Sequence, residues 1–155
     1  MVVLVDSLLG KQAQDFSLVA DDGTSFALSD LKGRKIILYF YPKDDTSGCT
    51  AQACDFRDNN SKFNAKNAVI IGISRDDTKS HQNFKIKYQL NFTLLTDTDG
   101  AVCQLYDVWK EKSMYGRKYF GIERSTFYID ESFTIRQIWR KVKVPGHFEE
   151  VLRVL

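Results

Sequence analysis

Apolar side chains run almost unbroken over residues 35–41 and again over 67–74. Runs of that kind suit strands buried on both faces of a sheet, whereas a half-exposed strand would alternate apolar and polar positions. Between them, residues 47–63 read as a helix, with Cys49, Phe56 and Phe63 at heptad spacing and Ala53 among them. Asp77 or Thr78 is placed to cap a second helix that reaches about Leu90, with Phe84 and Tyr88 one turn apart. Residues 92–96 then predict a short strand, 97–100 a turn and 101–108 a short helix.

The ends of the chain add antiparallel pieces. Short apolar segments lie at 2–5 and 16–19, and Asp21-Asp22-Gly23 before Phe26 predicts an N-terminal β-hairpin. Residues 29–33 read as a capped turn closed by Gly33. Residues 109–121 are mixed aromatic and basic, show neither period, and read as a loop. Residues 125–130 and 134–139 predict an antiparallel pair joined through Glu131 and Ser132. Pro145-Gly146 then precedes an amphipathic helix at 147–155. The order βαβα, hairpin, helix implies parallel central strands with helices on both faces. The expectation is a single α/β domain over residues 1–155, built on a central mixed β-sheet, with no repeat or linker.

Composition narrows the function classes. The chain has 155 residues, enough for a core without staples, and its 43% hydrophobic and 27% charged content is that of a globular protein. A net charge of +2 and the lack of a Lys/Arg block argue against nucleic acid as a partner. No apolar run is long enough to span a bilayer, so no membrane is expected. The first residues lack a basic region and a small-residue cleavage pattern, which points to a cytoplasmic protein. Three cysteines, Cys49, Cys54 and Cys103, are too few for a secreted disulfide framework. His81 and His147 stand far from the cysteine pair and no C-x-x-C knuckle exists, so no metal site is expected. Both histidines read as exposed helix-end residues.

The chemistry centres on residues 39–54. An apolar strand stops at Pro42, a short polar loop follows, Cys49 falls in the first turn of the helix, and Cys54 comes five residues on. Free N–H groups and the positive end of a helix dipole favour a thiolate. Making a thiol mostly ionised at neutral pH takes a downward shift of about 2.5 units, or roughly 3.4 kcal/mol. The helix end supplies about 1 kcal/mol. A cation and a hydroxyl are therefore wanted, and Thr46 is placed to offer the hydroxyl, while Pro42 stiffens the loop and limits water. Positions i and i+5 of a helix point about 140° apart, with Cα atoms roughly 8–9 Å from each other. A disulfide needs less than about 7 Å. If Cys49 and Cys54 bond, the first turns of the helix must unwind, which predicts a redox switch.

Pro42-x-x-x-Thr46-x-x-Cys49 resembles the peroxiredoxin active-site pattern. The longer stretch from Tyr39 to Asp44, then Gly48-Cys49-Thr50, Cys54 and Asp55-Phe56-Arg57-Asp58, is similar to the bacterioferritin comigratory protein or peroxiredoxin Q subfamily. So are Tyr115-Gly116 and residues 121–127, and the likeness covers nearly the whole chain from Phe16. The resemblance implies a thioredoxin-like fold and reduction of hydrogen peroxide and alkyl hydroperoxides without a cofactor. It implies Cys49 as peroxidatic thiolate, Cys54 as resolving cysteine, Thr46 as hydrogen-bond partner of thiolate and peroxide, Arg124 as the missing cation, and Pro42 as a shield. It also implies an intramolecular disulfide, reduced by thioredoxin or a similar dithiol. With that disulfide internal and no exposed apolar stripe evident, a monomer is expected. Ser47 departs from the subfamily's usual proline, which removes a brace in front of the helix.

Other readings compete for these residues. Cys54 suits a packed helix position, Arg124 a sheet-end cap, and Cys103 the core. Asp97-x-Asp99-Gly100 fails as a calcium loop because Val102 stands where glycine is needed. Trp109, Tyr115, Tyr119 and Phe120 read either as an aromatic rim for substrate or reductant or as core cover. The alternatives to a peroxidase are a thiol–disulfide oxidoreductase, which would want C-x-x-C, and a redox sensor or chaperone-like protein using the same switch.

Overall fold

The computed structural model describes residues 6–155, so the apolar segment at 2–5 lies outside it. β1 (Ser17–Ala20) and β2 (Ser25–Ala27) form the hairpin expected from the Asp-Asp-Gly turn, where Gly23 takes φ +85°. A 3-10 turn at Leu28–Leu31 buries Leu28 and leads into β3 (Lys35–Phe40). α1 (Ser47–Ala65), β4 (Ala68–Ser74), α2 (Thr78–Tyr88) and β5 (Thr93–Thr96) follow. Asp77 caps α2 by accepting the Ser80 N–H at 2.8 Å. α3 (Ala101–Leu105) is a single short helix, its Ala101 N–H held by the Asp99 carboxylate and its Val102 and Cys103 N–H groups by that of Asp97.

Residues 109–121 are not a loop. They form β6 (Trp109–Met114) and β7 (Arg117–Ile122), a two-stranded ribbon beside the main sheet. Its turn residues Tyr115 and Gly116 take φ of +51° and +77°, the left-handed pair that a two-residue hairpin loop requires. No apolar stripe betrays the ribbon because its outer half, including Tyr115 and Phe120, is exposed. β8 (Ser125–Ile129) and β9 (Ile135–Trp139) are the expected antiparallel pair, and α4 (His147–Arg153) closes the chain.

The seven-stranded sheet runs β2-β1-β5-β4-β3-β8-β9. β3, β4 and β5 are parallel, and the flanking strands pair antiparallel to them. The two crossovers step the same way across the sheet, so their common right-handedness lays α1 and α2 on one face. There Ile37, Tyr39, Ile70 and Leu94 meet Ala53, Phe56 and Phe63 of α1, Phe84 of α2 and Val151 of α4. The alternate residues Ile36, Leu38, Phe40 and Ile71 face Val102, Cys103 and Tyr106 on the other side. Gly72 lets the two layers of β3 and β5 close over β4: a Cβ there would stand 2.9 Å from Leu94 and 3.0 Å from the Tyr39 ring. Among the described residues no helix is long and apolar enough to cross a membrane.

Candidate active site

β3 hands the chain to the sheet's carboxyl edge, where open parallel sheets place their sites. The Tyr41 N–H still bonds the Ile73 carbonyl at 3.0 Å, and after it the chain leaves the sheet at Pro42, which is half-buried. Asp45 holds left-handed backbone (φ +58°), and its carboxylate takes bonds from Lys87 (2.8 Å) and Tyr88 (2.7 Å) of α2. Thr46 immediately precedes α1. Its hydroxyl donates to the Lys43 carbonyl at 2.9 Å rather than capping the helix. It makes no hydrogen bond to Cys49 here, although its lone pairs remain available as acceptors. The uncapped N–H groups of the first turn are thereby left for a ligand or a thiolate.

Cys49 sits in that first turn, 2% exposed. Arg124, between β7 and β8, donates from Nη2 to Cys49 Sγ at 3.3 Å and from Nη1 to Gln52 Oε1 at 2.7 Å. The sequence hinted at a cation but not at Gln52, one turn beyond Cys49, which aims it. Gly48 completes the fit, since a Cβ there would stand 3.2 Å from Arg124 Nη2. A second positive group comes from the ribbon: Lys112 of β6 is half-buried, with its stem across Gly121. Burial and the Arg124 charge hold its ammonium below the usual lysine range, against the pull of Glu123 and Cys49. Beneath the site the Tyr39 hydroxyl is fully buried without a partner among the described residues; burial, then the charges of Cys49 and Asp44, keep it protonated.

Cys54 is half-buried and free, and α1 is unbroken through both cysteines. Cys103 is fully buried on the opposite face of the sheet, and burial, with Asp97 adding to it, pushes its thiol far up. Of the four aromatic residues read as rim or cover, Trp109 packs on the core beneath Arg75, while Tyr115, Tyr119 and Phe120 stay exposed. The expectation of exposed histidines is wrong for both. His81 is fully buried against Asp44, and His147 is 2% exposed, its Nε2 2.8 Å from the Thr126 hydroxyl. Helix-end position suggested exposure, but both ends turn inward against the sheet.

A sequence model of the AhpC/TSA family matches residues 9–138. The chain belongs to that family. A Coxiella burnetii protein carrying the peroxiredoxin bcp name is 54% identical over 144 residues, covering 93% of this chain and 95% of its own. Peroxiredoxin Bcp of Bacillus subtilis is 49% identical over 147 residues, 95% of this chain and 94% of its own. The solved structure of the Xanthomonas campestris bacterioferritin comigratory protein, studied for alkyl peroxide reduction, superimposes with a TM-score of 0.86. It is 44% identical and covers 90% of this chain and 88% of its own. The fold is thus the thioredoxin-like fold of the peroxiredoxins, with a mixed central sheet flanked by helices. This peroxiredoxin is a thiol peroxidase of the Bcp type, as the motif around Cys49 implied.

Proposed function

We propose that Cys49 is the peroxidatic thiol of this peroxidase, acting on hydrogen peroxide and alkyl hydroperoxides, and that Cys54 resolves it. The observation that carries this is the 3.3 Å hydrogen bond from Arg124 to a buried sulfur at the start of α1. A hydrogen bond to a charged group contributes about 1.5–3 kcal/mol. The helix end adds its own attraction for negative charge. The sulfur attacks the distal peroxide oxygen, the O–O bond breaks, and the alkoxide or hydroxide leaves with the bonding pair and takes a proton from solvent. Cys49 is left as a sulfenic acid. Arg124 and the free N–H groups of the first turn face the oxygen on which charge develops. Thr46 serves by its lone pairs and Pro42 by covering one side of the sulfur.

In the second half-reaction the Cys54 thiolate attacks Cys49 Sγ, the S–S bond forms, and the S–O bond breaks to release water after proton uptake. The unbroken α1 keeps the two cysteines apart, so its first turns unwind before they bond. A dithiol protein of the thioredoxin kind then exchanges with the disulfide and returns both thiols. The reading takes the chain as one domain and as a cytoplasmic monomer, since the disulfide is internal and a reducing compartment keeps Cys54 ready. Peroxide consumption with a thioredoxin system tests the assignment. Cys49→Ser should abolish it, and Cys54→Ser should react about once per thiol and then stop. Undiminished turnover in Cys49→Ser overturns the role given to Cys49.

A further inference from the structure

The loop that carries Pro42 and Thr46 is short and polar, and Asp45 within it sits in left-handed backbone. Asp44, in the same loop, enters a buried hydrogen-bonded cluster. One Asp44 carboxylate oxygen accepts the Tyr41 hydroxyl at 2.6 Å. The other accepts the Ser80 hydroxyl at 2.8 Å and lies 2.7 Å from His81 Nδ1. The Asp44 N–H donates to Asp76 Oδ2 at 2.9 Å, and Asp76 is itself fixed by the Ser74 hydroxyl at 2.6 Å. His81 Nε2 stands 2.9 Å from the Leu95 carbonyl. A carboxylate and a carbonyl both only accept, so each imidazole nitrogen carries a proton. Burial opposes that charge most, yet the hydrogen bond and charge of Asp44, the Leu95 carbonyl and Asp76 together outweigh it and raise the His81 pKa.

Asp44, Asp76 and His81 also bring metal-ligand atoms within 4.8 Å of one another. A doubly protonated imidazole has no lone pair for an ion, and both carboxylates are already occupied by donors. The cluster is a clamp. Its partners follow β3 (Tyr41), end or follow β4 (Ser74, Asp76), or lie on α2 (Ser80, His81) and β5 (Leu95); none belongs to α1. α1 is the element that has to open for Cys49 to reach Cys54.

The geometry points to Asp44 and His81 as positioning residues of the peroxidatic loop. The pair holds residues 42–46 in the shape that orients peroxide over Cys49, and it stays closed while the first turns of α1 unwind, forming the fixed side of the switch. This rests on Cys49 and Cys54 having the roles proposed above.

Two rates separate positioning from mere stabilisation. Oxidation of Cys49 by hydrogen peroxide needs an oriented substrate, whereas alkylation by iodoacetamide needs only an accessible thiolate. Both are measured by stopped flow in a Cys54→Ser background, for His81→Gln, Asp44→Asn and the control Ile129→Val on the opposite face of the sheet. His81→Gln and Asp44→Asn should slow the peroxide reaction by at least about tenfold and change alkylation less than about twofold. Ile129→Val should change neither. Peroxide rates within about twofold of the background, or equal slowing of both reactions, would overturn the positioning role. If His81→Gln fails to fold, Asp44→Asn, which keeps size and an acceptor oxygen, decides alone. For the fixed side, the two imidazole N–H protons of His81 are followed by NMR in wild type; they should persist in the Cys49–Cys54 disulfide form, and their loss on oxidation would overturn it. A Cys54→Ser protein inert to peroxide would instead remove the assignment of Cys49 on which the inference stands.

Discussion

Arg124 divides its guanidinium between Cys49 Sγ and Gln52 Oε1, so the amide of Gln52 decides where the charge points. The amide is kept at some cost, because Gln52 Nε2 is buried without a partner among the described residues. Gln52→Leu removes that unsatisfied donor together with the 2.7 Å bond to Arg124. We expect the fold to be as stable as wild type or slightly more so, with the peroxide rate falling about 10- to 100-fold, the equivalent of about 1.5–3 kcal/mol. Urea titration and stopped-flow oxidation check the two halves; an unchanged rate would mean Arg124 aims itself. Cys49, Thr46 and Pro42 were legible because their spacing lies within one loop and one helical turn. Gln52 was not, since a buried glutamine on a helix gives no sign of its partner 72 residues away.

At the level of elements, the proposed roles of Cys49 and Cys54 set folding against turnover in α1. The helix puts Cys49 at a dipole, and on that proposal it opens to let Cys54 reach it. Ser47, exposed at the first position of α1, stands where the subfamily's proline would pre-set helical φ. Ser47→Pro should stabilise the closed helix by about 0.4–1 kcal/mol and slow disulfide formation by about two- to fivefold, leaving sulfenic acid formation unchanged. Rapid-quench trapping of the disulfide reads this directly, and unchanged resolution kinetics would show that opening starts elsewhere. The β6–β7 ribbon is the element that periodicity missed. Periodicity reports a face buried against a core, and Trp109 and Ile122 at the ribbon's base are packed while its outer half meets water. The glycine in Tyr115-Gly116 was visible, but the left-handed tyrosine before it has no local signature.

For the molecule as a whole, two buried histidines make stability depend on pH with opposite signs. His81 has a folded pKa raised above about 6.5, so its contribution is complete below that value and is lost as pH rises through the folded pKa. His147 is depressed, by burial and then, against Glu150, by Arg124; the unfolded chain takes up its proton first, so this group costs stability as pH falls below about 6.5. The difference in urea midpoint between wild type and His81→Gln should therefore be largest near pH 6 and shrink steadily toward pH 9. A gap that stays constant over that range would show that His81 does not carry its charge in the folded state. The two sheet faces separate this chemistry from the third thiol: Cys49, His81 and His147 lie on the side of α1, α2 and α4, and Cys103 lies on the other.

Sequence alone determined the strands and helices that bury whole faces, their βαβα order, and the thiol at a helix start with its loop. Each of these is written in neighbouring residues, as an apolar run, a period, or a motif a few positions long. The cation's aim, the ribbon and the two buried histidines were decided by tertiary structure. His81 meets Asp44 across 37 residues, and Arg124 meets Cys49 across 75. Such meetings depend on which strands become neighbours, because only the assembled sheet removes the water that would otherwise satisfy those polar groups one by one.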